Sequence, residues 1–138
     1  MKKRNLLLGL CVVLVAAGCA TSGGMSPEQA VQAKVEAWAA AMVAQDLDGM
    51  MALFSNDFEH YEWGDKEGAK EFMSEAIDMG YLEDIEISLD DMTLEVDDDE
   101  VIAYPIELSA SFGSATITLT FIKEDYGYLI SGLDVEGV

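Results

Sequence analysis

The chain's patterning predicts an α+β domain in which three N-terminal helices pack in a curved, mostly antiparallel sheet. Three observations lead there. Apolar residues recur at helical spacing as far as about residue 80, and from Leu82 onward they alternate with polar ones. The first two helical stretches open on capping residues, and the alternating stretches are divided by Gly- and Asp-rich turns. With 138 residues, 51% of them apolar, the chain has material for one core and one domain.

The elements follow in order. Ser26-Pro27-Glu28-Gln29 combines an N-cap serine, proline at the first helical position and a glutamine able to close a capping box, so a helix starts there. Val31, Val35, Trp38 and Met42 give it an apolar stripe. Asp46 caps a second, shorter helix carrying Leu47, Met50, Met51 and Phe54, which Ser55-Asn56-Asp57 stops. Phe58 to Trp63 reads as a short aromatic strand. Gly64-Asp65 turns the chain into a third helix with Ala69, Phe72, Met73, Ala76 and Ile77 on its buried face, ending at Gly80. Ile85, Ile87 and Leu89 then alternate in one phase and Met92, Leu94 and Val96 in the other, which places a bulge or bend near Asp90-Asp91. Beyond the acidic turn Asp97 to Glu100, the residues Ile102, Tyr104, Ile106, Leu108, Ala110 and Phe112 read as one face of a long strand. Gly113-Ser114 turns it into Ala115, Ile117, Leu119 and Phe121, and residues 124–127 turn that into a last strand from Tyr128 to Val135. The expected sheet is a four-stranded meander. Val35, Trp38, Phe54, Phe72, Ile106 and Leu119 are its expected core.

The front end reads as an address. Lys2, Lys3 and Arg4 precede the apolar run from Leu6 to Val15, and small residues follow, which is how export signals are built. Val15-Ala16-Ala17-Gly18-Cys19 resembles the lipobox of bacterial lipoproteins, with alanine where leucine is commonest. That resemblance implies a signal peptide over 1–18 and a mature chain beginning at an acylated Cys19, carrying a diglyceride and a palmitate. Residues 19–25 would be a short tether and 26–138 the domain. With Ala20 rather than aspartate next, the implied address is the outer membrane facing the periplasm in a Gram-negative envelope. Of the two cysteines, Cys11 lies in the signal and Cys19 at the lipidation position, so no disulfide is expected.

Charge excludes a class of partner. After the leader only Lys34, Lys66, Lys70 and Lys123 stand against 27 acidic residues, and such a body cannot displace counterions from a phosphate backbone, so nucleic acid is not a partner. The run Asp97-Asp98-Asp99-Glu100 lacks the alternating ligands and mid-loop glycine of a calcium hand, and one histidine with no free thiol makes no zinc site. No metal and no cofactor are expected.

The stretch Ala44-Gln45-Asp46-Leu47-Asp48-Gly49-Met50, the following Leu53 to Phe58, and the closing Phe121 to Gly132 resemble the nuclear transport factor 2-like superfamily, which includes SnoaL-like proteins and ketosteroid isomerase. The similarity spans about residues 26–135 and implies a conical barrel with a pocket at its wide end. In the isomerases a carboxylate moves the proton while a tyrosine and an acid hold the oxyanion. Carried over, Trp38 falls at the tyrosine, Glu62 at or near the base, and Thr116 to Thr120 at the acid, where no carboxylate occurs. Two of three roles are missing.

The candidate pocket residues are therefore Trp38, His60, Glu62, Phe72 and Met73. If alternation holds, His60 and Glu62 share a face with Phe58, either as a base with its partner or as packing, and Tyr61 and Trp63 point the other way. The favoured function is a non-catalytic envelope lipoprotein that binds a small apolar ligand or a partner protein. Its rivals are a SnoaL-like lyase, isomerase or hydrolase using Glu62 or His60, and a structural module whose cone is plugged by Trp38, Phe72 and Met73. Because Leu108 to Ile122 carries no charge, its outward residues Ser109, Ser111, Thr116, Thr118 and Thr120 are the candidate face for a homodimer.

Overall fold

The computed structural model describes residues 25–137. The expected signal peptide over 1–18, Cys19, residues 20–24 of the tether, and Val138 lie outside the described residues. Helix α1 spans Pro27–Ala44, α2 spans Leu47–Met51 and α3 spans Lys66–Asp78. The strands are β1 Glu86–Ser88, β2 Thr93–Asp97, β3 Glu100–Ala110, β4 Gly113–Glu124 and β5 Gly127–Glu136. This is the expected α+β order.

Local chemistry starts each helix. The Ser26 hydroxyl accepts from the Gln29 N–H at 3.2 Å and the Gln29 side chain accepts from the Ser26 N–H at 3.1 Å, closing the capping box. Asp46 and Asp65 cap α2 and α3 by accepting from the N–H groups of Gly49 and Gly68, at 3.0 and 3.1 Å. Helix α3 ends in a Schellman motif. Gly80, at φ +81°, donates to the Ile77 carbonyl, and Tyr81 donates to that of Ala76, so the chain leaves the helix at a fixed angle.

The sheet has five strands instead of four, because the bend at Asp90-Asp91 cuts the first expected strand in two. β1 and β2 pair with successive stretches of one edge of β3, while β4 pairs with its other edge and β5 with β4, all antiparallel. Bulges interrupt the register twice. One lies in β3 between Ala103 and Ile106, where Pro105 has no N–H for the ladder, and the other in β5 at Ser131. Each shifts the phase by one residue. The inward set of β3 is therefore Val101, Ala103, Ile106 and Leu108, and the expectation that Ile102 and Tyr104 face inward is overturned. In β5 the inward set passes from Tyr128 and Ile130 to Leu133 and Val135. The sheet curves around the helices and stays unclosed.

Val31, Val35 and Trp38 of α1 meet Ile106, Leu119, Phe121 and Ile130 of the sheet, all within 2% of full burial. Among the described residues the core runs from Ala30 to Val135. Five of the six expected core residues are buried. Phe72 is not: it is 43% exposed, because the face of α3 centred on Ala69, Met73 and Ala76 turns inward and leaves Phe72 at its margin. Ser55, the one buried polar side chain among the described residues, ties the segment after α2 to the sheet. Its backbone N–H donates to Ile130, and its hydroxyl donates to Glu124 while accepting from the Asp57 N–H.

Candidate ligand-binding site

The expected strand from Phe58 to Trp63 does not form. His60 and Gly64 instead exchange both backbone hydrogen bonds, at 2.8 and 2.9 Å, and enclose a loop of Tyr61, Glu62 and Trp63. The His60 side chain closes that loop from inside. Its Nδ1 accepts from the backbone N–H groups of Glu62 at 3.0 Å and Trp63 at 3.2 Å, which satisfies donors that a strand would have offered to a neighbour. Gly64, at φ +80°, supplies the left-handed residue the closure needs.

Once the segment is a loop, strand alternation no longer sorts its side chains onto two faces. Tyr61, His60, Trp63 and Phe72 stack as a column, with ring centroids 4.5, 4.0 and 4.3 Å apart and planes within 25° of parallel. The loop is anchored from below by Phe58, fully buried and edge-on to Phe54 at 4.9 Å. Across the mouth Tyr81, aimed by the Schellman turn, meets Phe112 edge-on at 6.3 Å. Phe112 sits in the β3–β4 turn and not on the inward face of a strand, as its place in the alternation suggested.

Between these two walls lies a cavity of about 480 Å³. Trp38, His60, Glu62, Phe72 and Met73 all line it, and so do Tyr61 and Trp63, which alternation had turned away. Its sheet side is aliphatic: Leu108, Ala115, Ile117, Leu133 and Val135. The cone is thus hollow, and Trp38, Phe72 and Met73 wall it instead of plugging it. Tyr81, Leu82 and Phe112 are lining residues that the sequence reading did not name. They come from turns some 30 residues apart, and only the tertiary fold brings them together.

The chemistry available is narrow. Because His60 Nδ1 accepts two N–H groups, the neutral ring carries its proton on Nε2, so it can donate from there but has no free lone pair to act as base. The contact between His60 and Glu62 runs through the Glu62 backbone, so the expected base-and-partner pair is not assembled. Glu62 is the one carboxylate among the described lining residues, and it is solvent-exposed. At the position of the isomerases' acid, β4 turns Ile117 and Leu119 inward, while Thr116, Thr118 and Thr120 face out and are half-buried. Ser109 is exposed on that same outer side, but Ser111 belongs to the turn. The acidic run from Asp97 is an exposed hairpin turn with Asp98 at φ +55°. Among the described residues no group of acidic, histidine or cysteine side chains is arranged to hold a metal. Nor is any described helix long and apolar enough to cross a membrane.

Comparison with known proteins agrees on the fold. An NTF2-like protein of unknown function from Pseudomonas putida KT2440 superposes with TM-score 0.68 at 14% identity, covering 83% of this chain and 90% of that one. A candidate dehydratase of the NTF2-like family from Streptomyces avermitilis gives 0.63 at 16%, covering 80% and 94%. A de novo designed protein with a curved β-sheet gives 0.60 at 15%, covering 78% and 99%. Likeness at such identities is one of fold. Comparison with curated proteins finds no relative by sequence. The model of the SnoaL-like domain matches residues 31–131, the stretch that holds all three helices' inward faces, the closed loop and most of the sheet; the chain belongs to the SnoaL-like domain family.

Proposed function

We propose that this chain is a lipid-anchored envelope protein whose SnoaL-like domain binds a small apolar ligand without transforming it. The observation that carries the reading is the cavity: about 480 Å³, walled by aromatic rings on one side and aliphatic residues on the other. That volume lies within the roughly 300–1,000 Å³ usual for small-molecule sites. What disfavours chemistry is the aliphatic sheet wall: a carboxylate base needs donors facing the charge it creates, and Leu108, Ile117, Leu133 and Val135 offer none. Acid/base catalysis through Glu62 is the rival reading, and its support is the place of that carboxylate at the cavity.

Binding is tested with Nile red, a neutral apolar dye, on residues 25–138. The dye should be displaceable, and Glu62→Gln should change its affinity less than about twofold. A dye that binds equally well after the cavity is filled by Ala115→Phe would refute the site. The anchor rests on the leader's build and on Cys19 at the lipobox position, with Ala20 pointing to the outer membrane in a Gram-negative host. Cys19→Ser should release the protein from membranes on fractionation, and unchanged retention would contradict the assignment. We further propose that two copies pair through the outer face of β4, where Thr118 and Thr120 stand, with neighbouring Ile102, Ile122 and Leu129 half-buried on the same side.

A further inference from the structure

Resting on the ligand-binding reading, we propose that the cavity selects hydrophobic cations, such as an aryl or alkyl quaternary ammonium, over neutral and anionic molecules of the same shape. The first reason is the charge inventory of the wall. Glu62 is the single formally charged side chain among the described lining residues, and none of Lys34, Lys66, Lys70 and Lys123 is among them. A carboxylate ligand would bring a second negative charge beside Glu62 with no counterion on the wall to offset it. A quaternary ammonium would meet the opposite charge and loses little hydration on entry.

The second reason is the aromatic rim. Phe72, Tyr81 and Phe112 each keep 43–49% of their surface open at the mouth, and ring faces attract a cation that aliphatic walls would not. The third is the field outside. The described residues carry 27 acidic groups and four lysines, which concentrates cations and repels anions before any contact is made. Local and global terms separate experimentally, because salt screens the distant charges far more than it screens a contact at the cavity.

The test uses residues 25–138, whose described residues hold a continuous core from Ala30 to Val135, and an internal reporter. The chain has two tryptophans, Trp38 and Trp63, and both line the cavity, so their emission reads occupancy directly. Phenyltrimethylammonium is titrated against the neutral tert-butylbenzene and the anionic benzenesulfonate, at 0.05 and 0.5 M NaCl. The cation should bind at least about tenfold more tightly than the neutral isostere, and the anion not measurably. Glu62→Gln should reduce cation affinity about fivefold and leave the neutral probe unchanged, whereas Asp98→Asn, a charge removed from a distant turn, should change neither affinity. If the neutral probe binds and the cation is no better, the ligand-binding reading stands and this inference falls. A cation preference that vanishes at 0.5 M NaCl, or that survives Glu62→Gln intact, overturns the assignment to the cavity. Silence from all three probes refutes both.

Discussion

Replacing Gly68 by alanine should destabilise this domain, although helix propensity argues for the reverse. At an ordinary position inside a helix the change would gain about 1 kcal/mol. Here the added Cβ falls on the carbonyl oxygen of Trp63 and lies 2.8 Å from its carbonyl carbon. The obstacle is backbone, and that backbone is held by the paired His60–Gly64 bonds and by His60 Nδ1. To clear the new methyl the loop must move by roughly 1–2 Å, which breaks one or two hydrogen bonds at about 1 kcal/mol each and loosens a ring stack worth about 0.5–1.5 kcal/mol. After the propensity gain is subtracted, the net loss should be about 0.5–2.5 kcal/mol. Urea unfolding of residues 25–138 measures it, and tryptophan emission should shift at the same time because Trp63 is displaced. Equal or greater stability with unchanged emission would refute the reasoning, since it would mean that the loop is not braced against α3.

Three other outcomes follow from the same geometry. Ser55→Ala should cost about 1–3 kcal/mol, because it strands the half-buried Glu124 carboxylate and the Asp57 N–H, and a loss under about 0.5 kcal/mol in urea unfolding would show the clamp to be idle. Phe72→Ala should cost only about 1–2 kcal/mol against about 2–5 kcal/mol for the fully buried Leu119→Ala, and the opposite ranking in paired denaturation curves would place Phe72 in the core after all. Pairing through β4 should strengthen with salt, because Glu107, Asp134 and Glu136 flank the threonines in the register and two copies would bring them together. Sedimentation should therefore show a dimer at high salt that Thr118→Lys abolishes, and a monomer well above micromolar concentration at every salt would remove the proposal.

What was legible in the sequence was what short-range chemistry decides. Ser26 with Gln29, Asp46 with Gly49, and Asp65 with Gly68 are contacts three residues apart, and each starts a helix where the pattern predicted. The bend at Asp90-Asp91 was visible as a phase change. The bulge at Pro105 was not, because Ile102 and Tyr104 happen to continue the alternation of Ile106 and Leu108 in step. Pro105 was the available signal, since a strand interior has no use for a residue without an N–H. The loop at His60 hid for a different reason: a side chain that accepts two backbone donors replaces a strand partner, and nothing in apolar periodicity records it. Phe72 was misplaced because it lies just beyond the edge of the face that Ala69, Met73 and Ala76 form, and a residue at the margin of a buried face can fall on either side of it. The pocket wall contributed by Trp38, His60, Glu62, Phe72 and Met73 could be reached by resemblance, whereas the opposite rim of Tyr81 and Phe112 is a meeting of two turns.

The most direct test of the account is native mass spectrometry of the domain purified from its own host, as the unmodified protein and as Ala115→Phe, which fills the cavity floor. The account predicts a bound small molecule on the unmodified protein, released at unchanged mass after prolonged incubation, and absent from the filled variant. A ligand retained equally by the filled variant, or one that is converted during incubation by the unmodified protein but not by Glu62→Gln, would contradict it.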